Sequence, residues 1–106
     1  MDRVVEICRD LGITLIEDCA HTVGCRWGKT FTGLFGKVGC YSSQTYKHMN
    51  SGEGGLLVTD DDDVIAKAIL YSGSYMLYDR HISRPPMEVF DRYKKIILAF
   101  GARAQL

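Results

Sequence analysis

The apolar positions of this chain change period several times, and each change marks an element. Over residues 2–11, Val4, Cys8 and Leu11 recur at i, i+4 and i+7, the spacing of one helical face, and Gly12 follows as a C-cap. Ile13-Thr14-Leu15-Ile16 is a short β-rich run that predicts a buried strand. Residues 22–36 hold Gly24, Gly28, Gly33 and Gly36 with Trp27 and Phe31 among them, so short strands and tight turns are expected. Val38-Gly39-Cys40-Tyr41-Ser42 predicts the next strand, and residues 54–59 another. Residues 64–71 predict a helix, with Ile65, Ile69 and Ser72 on one face and Ala66, Leu70 and Gly73 on the adjoining one. Residues 73–87 read as an irregular cationic and aromatic loop carrying Tyr75, Tyr78, Arg80, His81 and Arg84, stiffened by Pro85-Pro86. Val89, Phe90, Tyr93, Ile96 and Ile97 return to a helical period, and residues 96–100 close it as an apolar run.

Helix, glycine and strand in that order point to an α/β layer. Glu17 and Asp18 then fall at the carboxyl end of the first strand, the edge where open α/β sheets bind ligands. An acid there is a site candidate, and capping the next turn is the competing role. Asp60-Asp61-Asp62-Asp63 admits a divalent metal, but an acidic N-cap and first turn for the helix that follows is the simpler account.

Composition narrows the field. A chain of 106 residues suits one domain at most and buries a modest share of its surface. Thirteen basic and thirteen acidic side chains give a formal net charge of zero, which removes the electrostatic case for nucleic acid or an anionic membrane. No apolar run is long enough to span a bilayer, and Met1-Asp2-Arg3-Val4 lacks the regions of a signal peptide, so a cytoplasmic setting is expected. Cys8, Cys19, Cys25 and Cys40 form no C-x-x-C pair and are expected to be buried free thiols. Zinc held by Cys19, His21 and Cys25 would need spacings that structural sites do not use. Gly24-Cys25-Arg26-Trp27-Gly28-Lys29-Thr30 resembles a phosphate loop but has one residue too few between its glycines, and Phe31-Thr32-Gly33 is a poor helix start. A nucleotide module built on Gly28-Lys29-Thr30 is therefore the weakest functional alternative.

The stretch Ser42-Ser43-Gln44-Thr45-Tyr46-Lys47-His48-Met49-Asn50-Ser51-Gly52-Glu53-Gly54-Gly55 carries more chemistry. One lysine sits among hydroxyls and amides, followed by a glycine-rich turn and the apolar Leu56-Leu57-Val58. A solvated surface lysine is the ordinary reading of such a residue, and a nucleophile is the sharper one. Asp18 at one strand end, Ser42 at the next and Lys47 five residues later supply what pyridoxal 5'-phosphate chemistry requires. A lysine amine takes the cofactor aldehyde as a Schiff base, a carboxylate keeps the pyridine nitrogen protonated, and hydroxyls with backbone N–H groups hold the phosphate.

At these residues the chain resembles the DegT/DnrJ/EryC1/StrS family of fold-type-I, pyridoxal-phosphate-dependent aminotransferases. The resemblance lies in Ile16-Glu17-Asp18-Cys19-Ala20-His21, in Gly33-Leu34-Phe35-Gly36 and in residues 42–55 with their Gly-Glu-Gly-Gly close, in matching order and spacing. It implies an α/β fold, part of the three-layer α/β/α, aspartate aminotransferase-like large domain. It implies that Asp18 pairs with the pyridine nitrogen and that His21 lies near the cofactor ring and its phenolic oxygen. Ser42 would contact the phosphate, and Lys47 would carry the Schiff base and move the proton of the 1,3-shift. Some sugar dehydratases of the family have His in place of the lysine. Lys47 is retained and His48 only follows it, which favours transamination. Ser43 stands where the family usually has Phe, an expected loosening of packing behind the cofactor, and Cys19 replaces a common Ala.

The resemblance further implies a keto-sugar substrate, often nucleotide-linked, an amino donor such as glutamate or glutamine, and a homodimer whose active site lies at the interface. It is strongest over residues 1–80, with residues 87–106 a poorly matched tail, so residues 1–106 are expected to be a partial cofactor-binding large domain. A non-catalytic α/β remnant is the alternative. On this reading the helical stripes at Val4, Cys8 and Leu11 and at residues 89–100 lack their packing partners, and the isolated chain is expected to self-associate and show no turnover.

Overall fold

The computed structural model describes residues 1–72 and 79–99, the side chains of residues 96–99 excepted. The expectations placed on Gly73, Tyr75, Tyr78, Ile96, Ile97 and Phe100 therefore lie outside what is described. The elements in order are α1 (Asp2–Asp10), β1 (Ile16–Asp18), β2 (Arg26–Trp27), β3 (Thr30–Phe31), β4 (Val38–Ser42), β5 (Gly55–Val58), α2 (Asp62–Tyr71) and α3 (Met87–Ala99). The chain divides into two compact units, Met1–Thr59 and Asp60–Leu106. Among the described residues no helix is long and apolar enough to cross a membrane.

In the first unit α1 ends where its glycine requires. Gly12 adopts φ +64°, its N–H bonds to Arg9 O at 3.2 Å, and the Ile13 N–H bonds to Cys8 O at 2.7 Å. That is the paired Schellman closure, which needs a left-handed residue at this position. No residue of α1 is fully buried, and Val4 and Leu11 are exposed with Cys8 half-buried, so this stripe does lack a cover.

β1 departs from expectation. Residues 13–15 are outside the strand, whereas Glu17 and Asp18 form its carboxyl end, where they were expected. The ladder decides this: β1 pairs parallel with β4 only from Ile16↔Val38 to Asp18↔Cys40. The burial is also inverted, with Ile16 63% exposed and Glu17 only 8% exposed. The Glu17 carboxylate accepts three backbone N–H bonds, from Gly33 to Oε2 and from Phe35 and Gly36 to Oε1, each at 2.7 Å. A buried carboxylate is tolerated when charge-assisted hydrogen bonds replace its water.

The glycines here are matters of space. Gly33 has φ +90°, and a Cβ there would come within 2.2 Å of the Tyr41 Oη. A Cβ on Gly39 would meet the Gly33 carbonyl oxygen at 2.5 Å. The Tyr41 hydroxyl donates to Thr32 O. Burial pushes the Tyr41 phenol above its ordinary range, with the neighbouring Cys19 and Glu17 adding to the effect.

β5 joins β4 antiparallel, from Gly39↔Val58 to Ser42↔Gly55, giving a mixed three-stranded sheet in the order β1-β4-β5. β2 and β3 form a separate two-stranded hairpin, pairing Arg26 with Phe31 and Trp27 with Thr30. Gly28 takes φ +61° in its turn, the Arg26 guanidinium lies 3.5 Å from the Phe31 ring centroid, and the Trp27 indole N–H donates to Asp2 Oδ2 at 3.2 Å. Gly28-Lys29-Thr30 is thus a hairpin turn entering a strand, not a loop entering a helix, as its sequence indicated.

The cysteines are free but not uniformly buried. Cys19 is buried, Cys8 half-buried, and Cys25 and Cys40 exposed, which corrects the expectation for those two. Cys40 is exposed on β4 although Val38, on the same strand face, is buried.

In the second unit the acidic run is the helix start that its composition indicated. Asp61 caps α2 by accepting the Val64 N–H at 2.8 Å, and Asp62 and Asp63 fill the first turn. Ala66, Ile69 and Leu70 pack with Phe90 of α3, and Ile65, Val89 and Tyr93 flank them. Phe90 is 2% exposed and Val89 half-buried, so α3 does find a packing partner, contrary to expectation. Asp63 and Arg92 add an ion pair at 3.3 Å, worth little at an exposed site.

Two outcomes follow from the buried groups. Glu17→Gln replaces one accepting oxygen with an amide that must face an N–H, and should cost about 2–4 kcal/mol in denaturant unfolding. A loss under about 0.5 kcal/mol would mean that the three bonds do not hold the loop. For Tyr41, the unfolded chain loses the phenolic proton near pH 10 while the folded chain retains it. The folded state then binds more protons, so stability falls as pH rises above about 10. Tyr41→Phe should show a shallower loss of stability over that window, measured by thermal melting against pH.

Candidate active site

Strand pairing puts the nominated Asp18 and Ser42 on one side of the sheet. Asp18 lies opposite Cys40, and alternation puts Cys40 and Ser42 on the same face as Asp18. Glu17, Gly39 and Tyr41 belong to the other face. That other side borders a mostly apolar cavity of about 360 Å³, lined by Phe31, Leu34, Tyr41, Met49, Leu56 and Val58 among others. None of the residues nominated from the sequence lines it.

The end of β1 and the turn after it carry two of those residues. Cys19 continues the ladder through its N–H to Cys40 O at 2.8 Å, and its side chain is buried. Asp18 is exposed, and its Oδ1 accepts the Ala20 N–H at 3.0 Å. The two roles weighed for this acid are compatible, because the turn engages one carboxylate oxygen. The Thr22 N–H bonds to Cys19 O at 3.1 Å and closes the turn, which leaves His21 exposed on it.

The lysine loop is braced across its width. Ser43 N–H bonds to Gly54 O, Thr45 N–H to Gly52 O and Ser51 N–H to Ser43 O, at 2.9, 2.9 and 2.8 Å. Gly52 and Gly54 adopt φ +89° and +125°, which side-chain-bearing residues rarely do. Ser43, at the position where a Phe was the expected residue, is buried, and its Oγ lies 2.9 Å from the donating Ser51 Oγ. A polar brace thus occupies the place of an aromatic packing contact. Ser42 Oγ accepts the Gln44 N–H at 3.3 Å, and the Lys47 N–H bonds to Gln44 O at 2.8 Å.

This bracing brings Lys47, half-buried, to His21. Their Nζ and Nε2 atoms are 2.7 Å apart across 26 residues of sequence. A lysine ammonium has only donors, so in that form Nζ donates and Nε2 of the imidazole accepts. The structure therefore unites Lys47 with His21 directly. Asp18 and Ser42 share a strand face, with no hydrogen bond from either to the lysine amine. Glu17 was nominated only as an acid at a strand end, and its anchoring of the glycine loop was not anticipated. The paired glycines at 33 and 36 were the available signal, since tight backbone there leaves N–H groups in need of an acceptor.

Comparison with known proteins adds an independent finding. Residues 1–103 match the DegT/DnrJ/EryC1/StrS aminotransferase family. The chain belongs to this family. It is 35% identical over 104 residues, 98% of its length, to a putative L-glutamine:3-amino-2,3-dideoxy-scyllo-inosose aminotransferase of Micromonospora echinospora. It is 29% identical over 101 residues, 95% of its length, to GDP-perosamine synthase of Escherichia coli O157:H7. It is 35% identical over 68 residues, 64% of its length, to the putative pyridoxal phosphate-dependent aminotransferase EpsN of Bacillus subtilis. The chain spans 23%, 28% and 18% of those relatives' lengths. DegT/DnrJ/EryC1/StrS membership implies a pyridoxal-phosphate-dependent transferase fold, and the mixed α/β content of the chain agrees with it.

Proposed function

We propose that this chain is the lysine-bearing part of a pyridoxal-phosphate-dependent aminotransferase that places an amino group on a keto-sugar, with glutamate or glutamine as donor. The observation that carries the reading is the Lys47 amine, held by a braced loop 2.7 Å from His21 Nε2. Names of relatives support the rest: one names L-glutamine and an amino-inosose, one a GDP-linked sugar, one pyridoxal phosphate. The first unit is read as part of the three-layer α/β/α large domain, working as a homodimer in the full-length protein and in the cytoplasm.

The donor set fits the cofactor. An amine, an imidazole, a carboxylate with one oxygen outside its turn, and a hydroxyl at the head of an amide-rich loop match an aldehyde, a pyridine ring and a phosphate. Lys47 Nζ would hold the aldehyde carbon, Asp18 the ring nitrogen, His21 the ring's edge and Ser42 the phosphate. When bound, the cofactor supplies an electron sink for the carbanion left when a Cα–H bond of the amino donor breaks. Lys47 Nζ takes that proton and returns it to the neighbouring carbon. The Asp18 carboxylate keeps a proton on the ring nitrogen and so maintains the sink. Bracing of the loop restricts the lysine to a short arc, which serves proton transfer between adjacent carbons.

Borohydride reduction after incubation with pyridoxal phosphate should fix the label on Lys47, located by peptide mass mapping. Label on Lys29 or Lys67 at comparable yield would overturn the assignment. In a full-length relative, the Asp18→Asn counterpart should slow the half-reaction roughly several hundred-fold.

A further inference from the structure

We propose that His21 is the proton acceptor that frees the Lys47 amine to condense with an aldehyde, and the donor that then expels water. This rests on the reading that Lys47 takes an aldehyde, but it concerns the lysine's own reactivity and is testable without the cofactor.

A lysine ammonium has no lone pair and cannot attack a carbonyl. Its proton must first leave, and the group in contact decides where it goes. Among the described residues His21 is the base within hydrogen-bond reach of Nζ, at 2.7 Å. The other nearby candidates have separate engagements. Glu17 accepts three backbone N–H groups on the opposite strand face, and Asp18 Oδ1 accepts from its own turn. His48 adjoins Lys47 in sequence but is exposed and makes no hydrogen bond to its amine. Nε2 already lies at hydrogen-bond distance from Nζ, so the transfer needs no large movement. The lysine is preset as well, since its N–H is tied to Gln44 O at 2.8 Å.

The steps balance. A proton passes from Nζ to Nε2, and the neutral amine forms a C–N bond to the aldehyde carbon as the C=O π pair moves to oxygen. The imidazolium returns its proton to that oxygen, giving a hydroxyl. A second Nζ proton passes to Nε2 and from there to the hydroxyl, which leaves as water while the nitrogen lone pair closes the C=N bond. Lys47–NH₃⁺ and aldehyde become the protonated imine and water, and His21 ends neutral. No oxidant or reductant is consumed.

The test uses the full chain, propionaldehyde as a neutral probe, and cyanoborohydride to reduce the imine to a stable secondary amine. Peptide mass mapping gives the alkylation rate at Lys47, with Lys29 in the same sample as internal standard. Lys47 should react about tenfold faster than Lys29, below the usual general-base range because the pair is exposed. His21→Ala should bring Lys47 down to the Lys29 rate, and added imidazole should restore part of the difference. Glutamine accepts the lysine's hydrogen bond but not its proton, so His21→Gln should stay slow. If His21→Gln reacts as fast as the unaltered chain, His21 only positions the lysine and the proposal fails. Equal rates at Lys47 and Lys29 in the unaltered chain would also overturn it. Enhanced propionaldehyde reactivity without pyridoxal phosphate labelling would instead keep His21's role and remove the cofactor reading.

Discussion

A buried carboxylate with three backbone partners is the constraint on which the first unit depends. Glu17 reaches from β1 across to the Gly33–Gly36 turn, and its two oxygens hold three N–H groups at 2.7 Å. That turn must then lie against β4, which is why a side chain cannot be added at Gly33 or Gly39 without meeting Tyr41 or the backbone. The same bonds fix the end of the parallel β1–β4 pair, and with it the departure point of the turn that carries Asp18 and His21. A buried acid is thus a structural keystone one residue before an exposed acid. Strand alternation alone separates the two roles.

The site that results is open and polar. Lys47 meets His21 over a span that local sequence does not bridge, and the link depends on two separately stabilised loops. One loop is closed by Asp18 and Cys19, the other by a ladder of bonds between residues 43–45 and 51–54. Left-handed glycines at 52 and 54 let the second loop double back tightly enough for that ladder. The placement of Lys47 beside His21 is therefore carried by backbone hydrogen bonds more than by side-chain packing.

What could be read in advance was what local chemistry settles. The Gly12 stop of α1, the acidic start of α2, the short strands and tight turns of residues 22–36 and the apolar run of β4 all follow from local residue types. Asp18, His21, Ser42 and Lys47 were nominated by residue type, order and resemblance. The role of Glu17 was not legible, because an acid at a strand end has the same signature whether it binds a ligand, caps a turn or anchors a distant loop. Nor was the burial of Phe90 against α2, since an amphipathic stripe does not name its partner. Exposed Cys25 and Cys40 show the converse: a residue type that is usually buried was carried outward by its position in a strand or a turn.

The two faces of β4 have a consequence for how variation along it would be experienced. Gly39 and Tyr41 belong to the side that keeps the unit folded, whereas Cys40 and Ser42 belong to the side shared with Asp18. A saturation scan through these four positions, scored for both abundance and activity, would alternate. At 39 and 41 the protein itself would be depleted, while at 40 and 42 abundance would hold and any change would fall on the activity proposed above. The period of a pleated strand would thus surface in a genetic assay as a two-residue beat between lost protein and altered chemistry.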